Sequence, residues 1–117
     1  MKIYHKGSGK KYTPLNHFDM TTEVVFNPEM GSEHANITIS TLKKGAGSHD
    51  EVHESSDQIF YVLQGVISVY AHGQLLHRVL AGDAIMVQAG EVHAVTNEHD
   101  EDCIFYAVTV PPLEQTH

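Results

Sequence analysis

The chain has few of the cysteines, long apolar runs and basic residues that are typical of disulfide-bonded, membrane-spanning or nucleic-acid-binding proteins. It has one cysteine, Cys103, so no disulfide can form within it, and it has no long apolar run that could cross a membrane. Lys and Arg number 7 against 15 Asp and Glu, and the net charge is −8 with His neutral. That charge repels nucleic acid and anionic lipid, so neither is an expected partner. Because the start of the chain lacks a secretory segment, the cytoplasm is the expected compartment.

Helical periodicity is also nearly missing, and short β-forming runs take its place. The runs are separated by Gly, Asn, Asp and Pro, which are typical of turns. Roughly eight to ten strands at this spacing predict one all-β domain, an antiparallel sandwich or barrel. We assign the barrel to residues 27–117 and expect residues 1–26 to add an edge strand or an arm that reaches a partner subunit. Gly65, Gly82 and Gly90 lie between β runs, where a tight turn often requires a positive φ.

The segment "GSHDEVHESSDQ", residues 47–58, has two interpretations. Glu51 and His53 are two residues apart, so on extended backbone both side chains leave the same face, and His49 has the same parity. One interpretation is a solvated acidic loop, because charged side chains are mostly exposed. The other is the wall of a metal site, because imidazole and carboxylate groups are common metal ligands. The segment by itself leaves both open.

Nearly half of the chain resembles the two motifs of the cupin superfamily, whose members are small β-barrels. Those motifs are G-x5-H-x-H-x3,4-E-x6-G and G-x5-P-x-G-x2-H-x3-N. The corresponding positions here are Gly45, Glu51, His53, Gln58 and Gly65 in the first motif, and Gly82, Gln88, Gly90, His93 and Asn97 in the second. Glu51 replaces the first histidine, Gln58 replaces the glutamate, and Gln88 replaces the proline. The resemblance, which extends to small single-domain bacterial cupins, implies a jelly-roll barrel of two antiparallel sheets.

The resemblance also implies a set of metal ligands inside the barrel. Carried over position by position, the ligands are Glu51, His53, Gln58 and His93. The usual set of the family has three imidazoles and one carboxylate, whereas this one has two imidazoles, one carboxylate and one amide, so the ligand charge is unchanged. Two histidines and a carboxylate suit Fe(II), but mixed nitrogen and oxygen ligands also accept Mn, Ni, Co or Zn. We therefore expect one divalent metal ion per chain, of open identity.

Three further residues are candidates for the pocket around that ion. His49 either lies above the metal site, as an extra ligand, a proton shuttle or a substrate contact, or is a histidine facing a turn. Phe60 shares the parity of Gln58, and Met86 lies two residues before Gln88, so both are expected on the inner barrel face. Plain core packing is the competing role for Phe60 and Met86. Exposed positions without a function are expected for the other histidines, which are His5, His17, His34, His72, His77, His99 and His117.

Three classes of function are compatible with these features, and the sequence does not decide whether the protein is an enzyme. The first is a metal-dependent dioxygenase, isomerase or lyase that acts on a small oxygenated molecule. The second is a metal-containing module that binds or senses a small molecule without turning it over, and the third is a barrel that keeps these residues for stability and serves as an interaction or storage unit. In each case a homodimer is expected, because the apolar run "EVVF", residues 23–26, has no evident partner strand within the motif region.

Overall fold

The computed structural model describes residues 1–113, so the predicted exposure of His117 lies outside the described residues. Nine strands form in this part of the chain: β1 Lys11–Tyr12, β2 His17–Phe26, β3 Asn36–Ser48, β4 Asp57–Gln64, β5 Val66–Ala71, β6 Gln74–Leu80, β7 Ala84–Val87, β8 Ala94–Thr96 and β9 Cys103–Val110. The one helical element described is a single 3₁₀ turn at Pro28–Met30. The prediction of an all-β fold is confirmed.

All strand pairs are antiparallel, and the strands form a nearly closed β-barrel. The sheet runs in the order β6-β5-β8-β3-β9-β4-β7, and β2 with its neighbour β1 lies on the other side of β3. β3 is 13 residues long and is the central strand of the barrel. It pairs with β9 over Asn36–Leu42 and with β8 at Gly47. A long strand that pairs with different neighbours along its length joins two sheets into one barrel.

The core is formed by the inward-facing residues of the alternating strands. In β9 every second residue is buried, as the pattern from Cys103 to Thr109 shows. The side chains of Leu42, Val62 and Ile67 are completely buried, and Cys103 is buried among them as a free thiol. Burial raises the pKa of this thiol to about 11, so it is protonated and inert at neutral pH.

The turn glycines have the backbone conformation that the sequence predicts. Gly65, Gly82 and Gly90 have φ values of 76°, 92° and 86°. Gly65 is also tightly enclosed, because a Cβ atom there would lie 2.7 Å from the carbonyl oxygen of Asp102. Both the dihedral angle and the close approach therefore exclude other residues at the β4–β5 turn.

The N-terminal segment forms β1 and β2 of the same sheet. The run "EVVF" lies in β2 and pairs with β3 of the same chain, so the partner strand that the sequence analysis did not find is present within the monomer. Val24 and Val25 of this run are buried. This removes the reason given for a homodimer, although dimer formation itself stays a prediction. None of the described residues forms a helix long and apolar enough to cross a membrane.

Candidate functional site

A cavity of about 850 Å³ opens into the barrel beside β2, β3, β4 and β9. Its wall combines aromatic and aliphatic side chains with hydroxyl and amide groups. The hydroxyls of Thr22 and Ser40 lie 2.9 Å apart on neighbouring strands, and the Gln58 amide donates to the Thr109 hydroxyl at 3.1 Å. Mostly apolar walls with a few polar groups are typical of small-molecule sites.

The segment that follows β3 is held against the start of β8 at the mouth of this cavity. The backbone N–H of Glu51 donates to the His93 carbonyl at 2.8 Å, and the N–H of His93 donates to the Glu51 carbonyl at 2.9 Å. These reciprocal bonds make an isolated antiparallel bridge between the two residues. Residues from the first and second motifs, 42 positions apart in the chain, are therefore direct neighbours.

The imidazoles of His53 and His93 face each other in the cavity. Their ring centroids are 5.4 Å apart, and the His93 ring lies 6.3 Å from that of Phe60. His93 is almost fully buried, whereas His53 is half-buried. Nδ1 of His93 lies 3.1 Å from the carbonyl oxygen of Glu91, so this nitrogen is the donor, and in a neutral imidazole Nε2 is then a lone pair. Burial lowers the pKa of His53, which favours the neutral imidazole at that position.

A third imidazole, that of His17, reaches the same place from the first residue of β2. Its Nε2 lies 3.1 Å from Oε1 of Glu51, and the two side chains are 13% and 20% exposed. Burial raises the pKa of Glu51 to about 7 and lowers the pKa of His17. Both shifts favour the neutral pair, in which one proton lies between the carboxyl group and the imidazole. From the sequence, His17 is expected to be exposed and to have no function; the expected exposure is wrong, because the side chain is largely buried in this cavity.

The loop before β2 explains how His17 is positioned. Asn16 has a φ of 64°, a conformation that Asn tolerates better than most residues. Its carbonyl accepts the N–H of His49 at 3.0 Å, and its side-chain amide donates to the Asp50 carbonyl at 3.2 Å. These bonds hold the start of β2 against the segment that carries Glu51.

A β-bulge places His17 on the inner face, against the parity of the rest of its strand. Counting back from the inward-facing Met20 and Thr22 by twos leads to Phe18, which would make His17 face outward. The register of β2 against β3 shifts between Phe18 and Met20, and Asp19 at this point has a φ of 51°. The positive φ of Asp19 and this register shift reverse the faces, so Phe18 is exposed and His17 points inward. A bulge of this kind leaves no reliable mark in a single sequence.

Two of the predicted pocket residues lie outside the cavity, and Phe60 lines it. Met86 is 53% exposed on the outer face of β7, opposite Ile59, while Val87 faces inward opposite Gln58. The prediction for Met86 is wrong because Gln88, from which the parity was counted, lies beyond the end of the strand. His49 is exposed and packs on the ring of Phe18 at a centroid distance of 5.2 Å, so it faces away from the cavity.

The predicted ligand set of Glu51, His53, Gln58 and His93 lines one cavity, with His17 beside it. The chemistry of these groups fits a divalent cation, since neutral imidazoles and a carboxylate are available and only one formal charge is present. Their arrangement is not a preformed metal site: within residues 1–113, no three His, Cys, Asp or Glu side chains are placed so as to hold an ion. Binding of an ion therefore requires these side chains to turn towards one another.

The family of the chain follows from a comparison with known families. The family model of the cupin domain matches residues 38–109, which is more than half of the chain. The chain belongs to the cupin family. The small single-domain cupin predicted from the motifs is thereby confirmed, and His17 lies outside the matched region. No curated protein sequence matches this cupin.

Solved structures of several organisms have the same fold. A predicted oxalate decarboxylase of Thermotoga maritima is 20% identical with a TM-score of 0.81, over 95% of this chain and 100% of that one. The polyketide cyclase RemF of Streptomyces resistomycificus is 22% identical with a TM-score of 0.80, over 100% and 86%. KdgF from Halomonas sp. is 19% identical with a TM-score of 0.78, over 99% and 100%. At these identities the likeness establishes the fold, while activity has to be argued from the site.

Proposed function

We propose that this cupin binds one divalent metal ion in its cavity and uses it to bind and transform a small oxygenated molecule. The observation that carries the proposal is the meeting of imidazoles and the Glu51 carboxyl group at the mouth of one cavity. Buried polar groups require partners, and a shared cation satisfies several of them at once. A bound ion supplies Lewis-acid polarisation of a carbonyl or enolate oxygen.

Each residue of the site has its own role in this proposal. Glu51 provides the negative charge, and the neutral imidazoles of His53 and His93 provide nitrogen lone pairs. The aromatic ring of Phe60, 6.3 Å from that of His93, provides an apolar side to the cavity there. The hydroxyl groups of Thr22, Ser40 and Thr109 line the deeper wall, where they can donate to or accept from an oxygen-rich ligand.

Metal content of the untagged protein tests the proposal. After removal of bound ions with a chelator and incubation with Mn²⁺, Co²⁺, Ni²⁺ or Zn²⁺, elemental analysis should give about one ion per chain for the preferred metal. Glu51→Ala, His53→Ala and His93→Ala should lose most of that ion, with Glu51→Ala the most affected because it removes the formal charge. His77→Ala, an exposed histidine of β6, is the matched control. Full metal retention in Glu51→Ala and His93→Ala contradicts the proposal.

Turnover then separates an enzyme from a module that only binds. Two structural neighbours are a predicted oxalate decarboxylase and a polyketide cyclase. A screen of the metal-loaded protein therefore begins with oxalate and related small carboxylates, followed by diketones and phenols, with product formation and dioxygen uptake as readouts. Saturable binding of one of these compounds without product favours the non-catalytic alternative.

We also propose that the protein forms a homodimer through the outer face of β4 and β7. Ile59 and Met86 are cross-strand neighbours on this face, and Tyr61 lies beside them; all three are more than a third exposed. A second copy related by a two-fold axis would cover these side chains with the same side chains of its own. Light scattering that gives 13 kDa at high micromolar concentration contradicts the dimer. If a dimer forms, Met86→Glu should dissociate it.

A further inference from the structure

His17 lies where a donor to the proposed ion is expected, although it comes from a strand outside the matched cupin segment. Its side chain is 13% exposed, and its Nε2 is 3.1 Å from Glu51 Oε1. The residue lines the same cavity as His53 and His93. Among the described histidines, His17, His53 and His93 line that cavity, whereas His49 is exposed.

The other nitrogen of the ring determines what His17 presents to Glu51. Nδ1 lies 2.6 Å from the carbonyl oxygen of Leu15, and a carbonyl oxygen accepts but cannot donate. Nδ1 therefore carries a proton, and in a neutral imidazole Nε2 is then a lone pair. A lone pair 3.1 Å from a carboxylate oxygen is repulsive unless a proton or a cation lies between the two atoms.

His93 has the same arrangement. Its Nδ1 lies 3.1 Å from the carbonyl oxygen of Glu91, two residues earlier in the chain, as Leu15 is two residues before His17. In both histidines a backbone carbonyl holds the proton on Nδ1 and leaves Nε2 free for the cavity. Histidines that bind metals typically donate their other ring N–H to a carbonyl or carboxylate, which sets the tautomer and the ring orientation. The imidazole of His17 in β2 and that of His93 just before β8 thus have the same orienting contact.

We propose that His17 is a third imidazole donor, so that the ion is held by His17, Glu51, His53 and His93. The ion would take the place of the proton between His17 Nε2 and Glu51 Oε1. Gln58, whose amide is bonded to Thr109, then belongs to the wall of the cavity and not to the donor set. This inference rests on the proposed function, because it assigns a further ligand to the same ion.

Cobalt binding provides a test that does not depend on activity. The metal-free forms of wild type, His17→Ala, His93→Ala and His77→Ala are titrated with Co²⁺ in competition with a chelator, and the visible absorption of bound Co²⁺ is recorded. We expect His17→Ala to weaken the affinity by more than about 100-fold, since loss of an outer partner of a ligand alone commonly costs about 10- to 100-fold. The bands of any Co²⁺ still bound should change shape, because one nitrogen is lost. His77→Ala should match wild type.

A second measurement is made on the wild type, in case His17→Ala does not fold. With ¹⁵N-labelled histidine, addition of Zn²⁺ should shift the Nε2 resonances of His17, His53 and His93 together, at the same ratio of Zn²⁺ to protein. The resonances of His49 and His77 should stay in place.

The possible outcomes distinguish this inference from the proposed function. Wild-type affinity and spectrum in His17→Ala, together with loss of Co²⁺ from His93→Ala, overturns the role of His17 and leaves the metal site intact. An unmoved His17 resonance beside shifted His53 and His93 resonances has the same meaning, and His17 then only shares a proton with Glu51. If wild type binds neither Co²⁺ nor Zn²⁺, the proposed function itself fails.

Discussion

The wall of the cavity and the packed core are formed by the same strands, yet they differ in chemistry. Along β9 the inward-facing residues change from Thr109, which lines the cavity, to Cys103, which is packed in the core. Ala107 and Phe105 lie between them and belong to both regions. The neighbouring β4 changes in parallel, from Gln58 to Val62. The same strands therefore form both regions. Their inward-facing side chains are more polar beside the cavity and apolar in the core.

Because of this difference, the residues that stabilise the fold are largely distinct from those that are available to bind a ligand. The core consists of aliphatic side chains at or near complete burial, which contribute the hydrophobic free energy of folding. The cavity wall leaves an open volume instead and keeps hydroxyl, amide and imidazole groups directed into it. Open volume and buried polar groups both reduce stability, so the core has to compensate for the cavity. Substitutions in the two regions should accordingly change different measurable quantities.

The largest expected effect on folding is in the core, at Leu42. Its side chain is completely buried between β2 and β9, so Leu42→Ala removes apolar contacts and leaves a void. We expect a loss of about 2–5 kcal/mol in the free energy of unfolding, measured with urea. Leu76→Ala, a half-exposed leucine on β6, is the control and should change stability by less than about 0.5 kcal/mol. A loss of metal affinity in still-folded Leu42→Ala would contradict the separation of the two regions.

The next effect concerns Asn97, a motif residue that the structure assigns to the core. Its buried amide donates to the carbonyls of Leu42 and Glu101 at 2.9 and 2.8 Å, and its Oδ1 accepts the N–H of His99 at 2.9 Å. Asn97→Ala leaves a buried carbonyl unpaired, so we expect a loss of about 2–3 kcal/mol in unfolding free energy. His99→Ala, which removes an exposed side chain, should have little effect. If Asn97→Ala folds normally but loses metal, Asn97 belongs to the site and the comparison fails.

The sequence predicts the core better than it predicts the candidate site. The core and the strand count follow from alternation and turn chemistry, because hydrophobic period and positive-φ glycines are local properties. His53 and His93 are recognisable through their motif spacing. His17 is not, since a single bulge at Asp19 reverses the face of its strand, and Met86 is misplaced because parity does not continue through a turn. The imidazole that Glu51 replaces in the first motif thus has a counterpart in β2 that no motif records.

A smaller, pH-dependent effect is expected in the cavity of the metal-free protein, at Glu51. Burial raises the pKa of its carboxyl group from 4.5 to about 7, so the folded state holds the proton more tightly than the unfolded chain. This contribution to stability is complete below about pH 4.5 and is lost as the pH rises to about 7. Glu51→Gln cannot ionise and should therefore be about 1–2 kcal/mol more stable than wild type at pH 8, but no more stable at pH 4.

Urea unfolding across this pH range, with a chelator present, measures the effect at Glu51. The pKa of His17 is lowered by burial and so acts in the opposite direction, with stability lost as the pH falls below about 6.5. His17 is present in both proteins, which largely cancels its contribution in the difference. Glu54→Gln, at an exposed acidic position in the same segment, is the control. An advantage of Glu51→Gln that is equal at both pH values would mean that the carboxyl group titrates normally.

The smallest effect is expected at Gln58, where the two regions meet. Its amide donates to the hydroxyl of Thr109 across the β4–β9 pair at 3.1 Å, a neutral bond between half-buried and buried side chains. Gln58→Ala removes this one bond, so unfolding free energy should fall by about 0.5–1 kcal/mol. A double-mutant cycle with Thr109→Val should assign most of that loss to the pair. Metal affinity should fall far less than in Glu51→Ala, because the Gln58 amide is bonded to Thr109 and lies outside the donor set. If Gln58→Ala instead loses metal as completely as Glu51→Ala, the amide oxygen is a ligand. Gln58 then belongs to the donor set, and the wall of the cavity cannot be separated from the metal site.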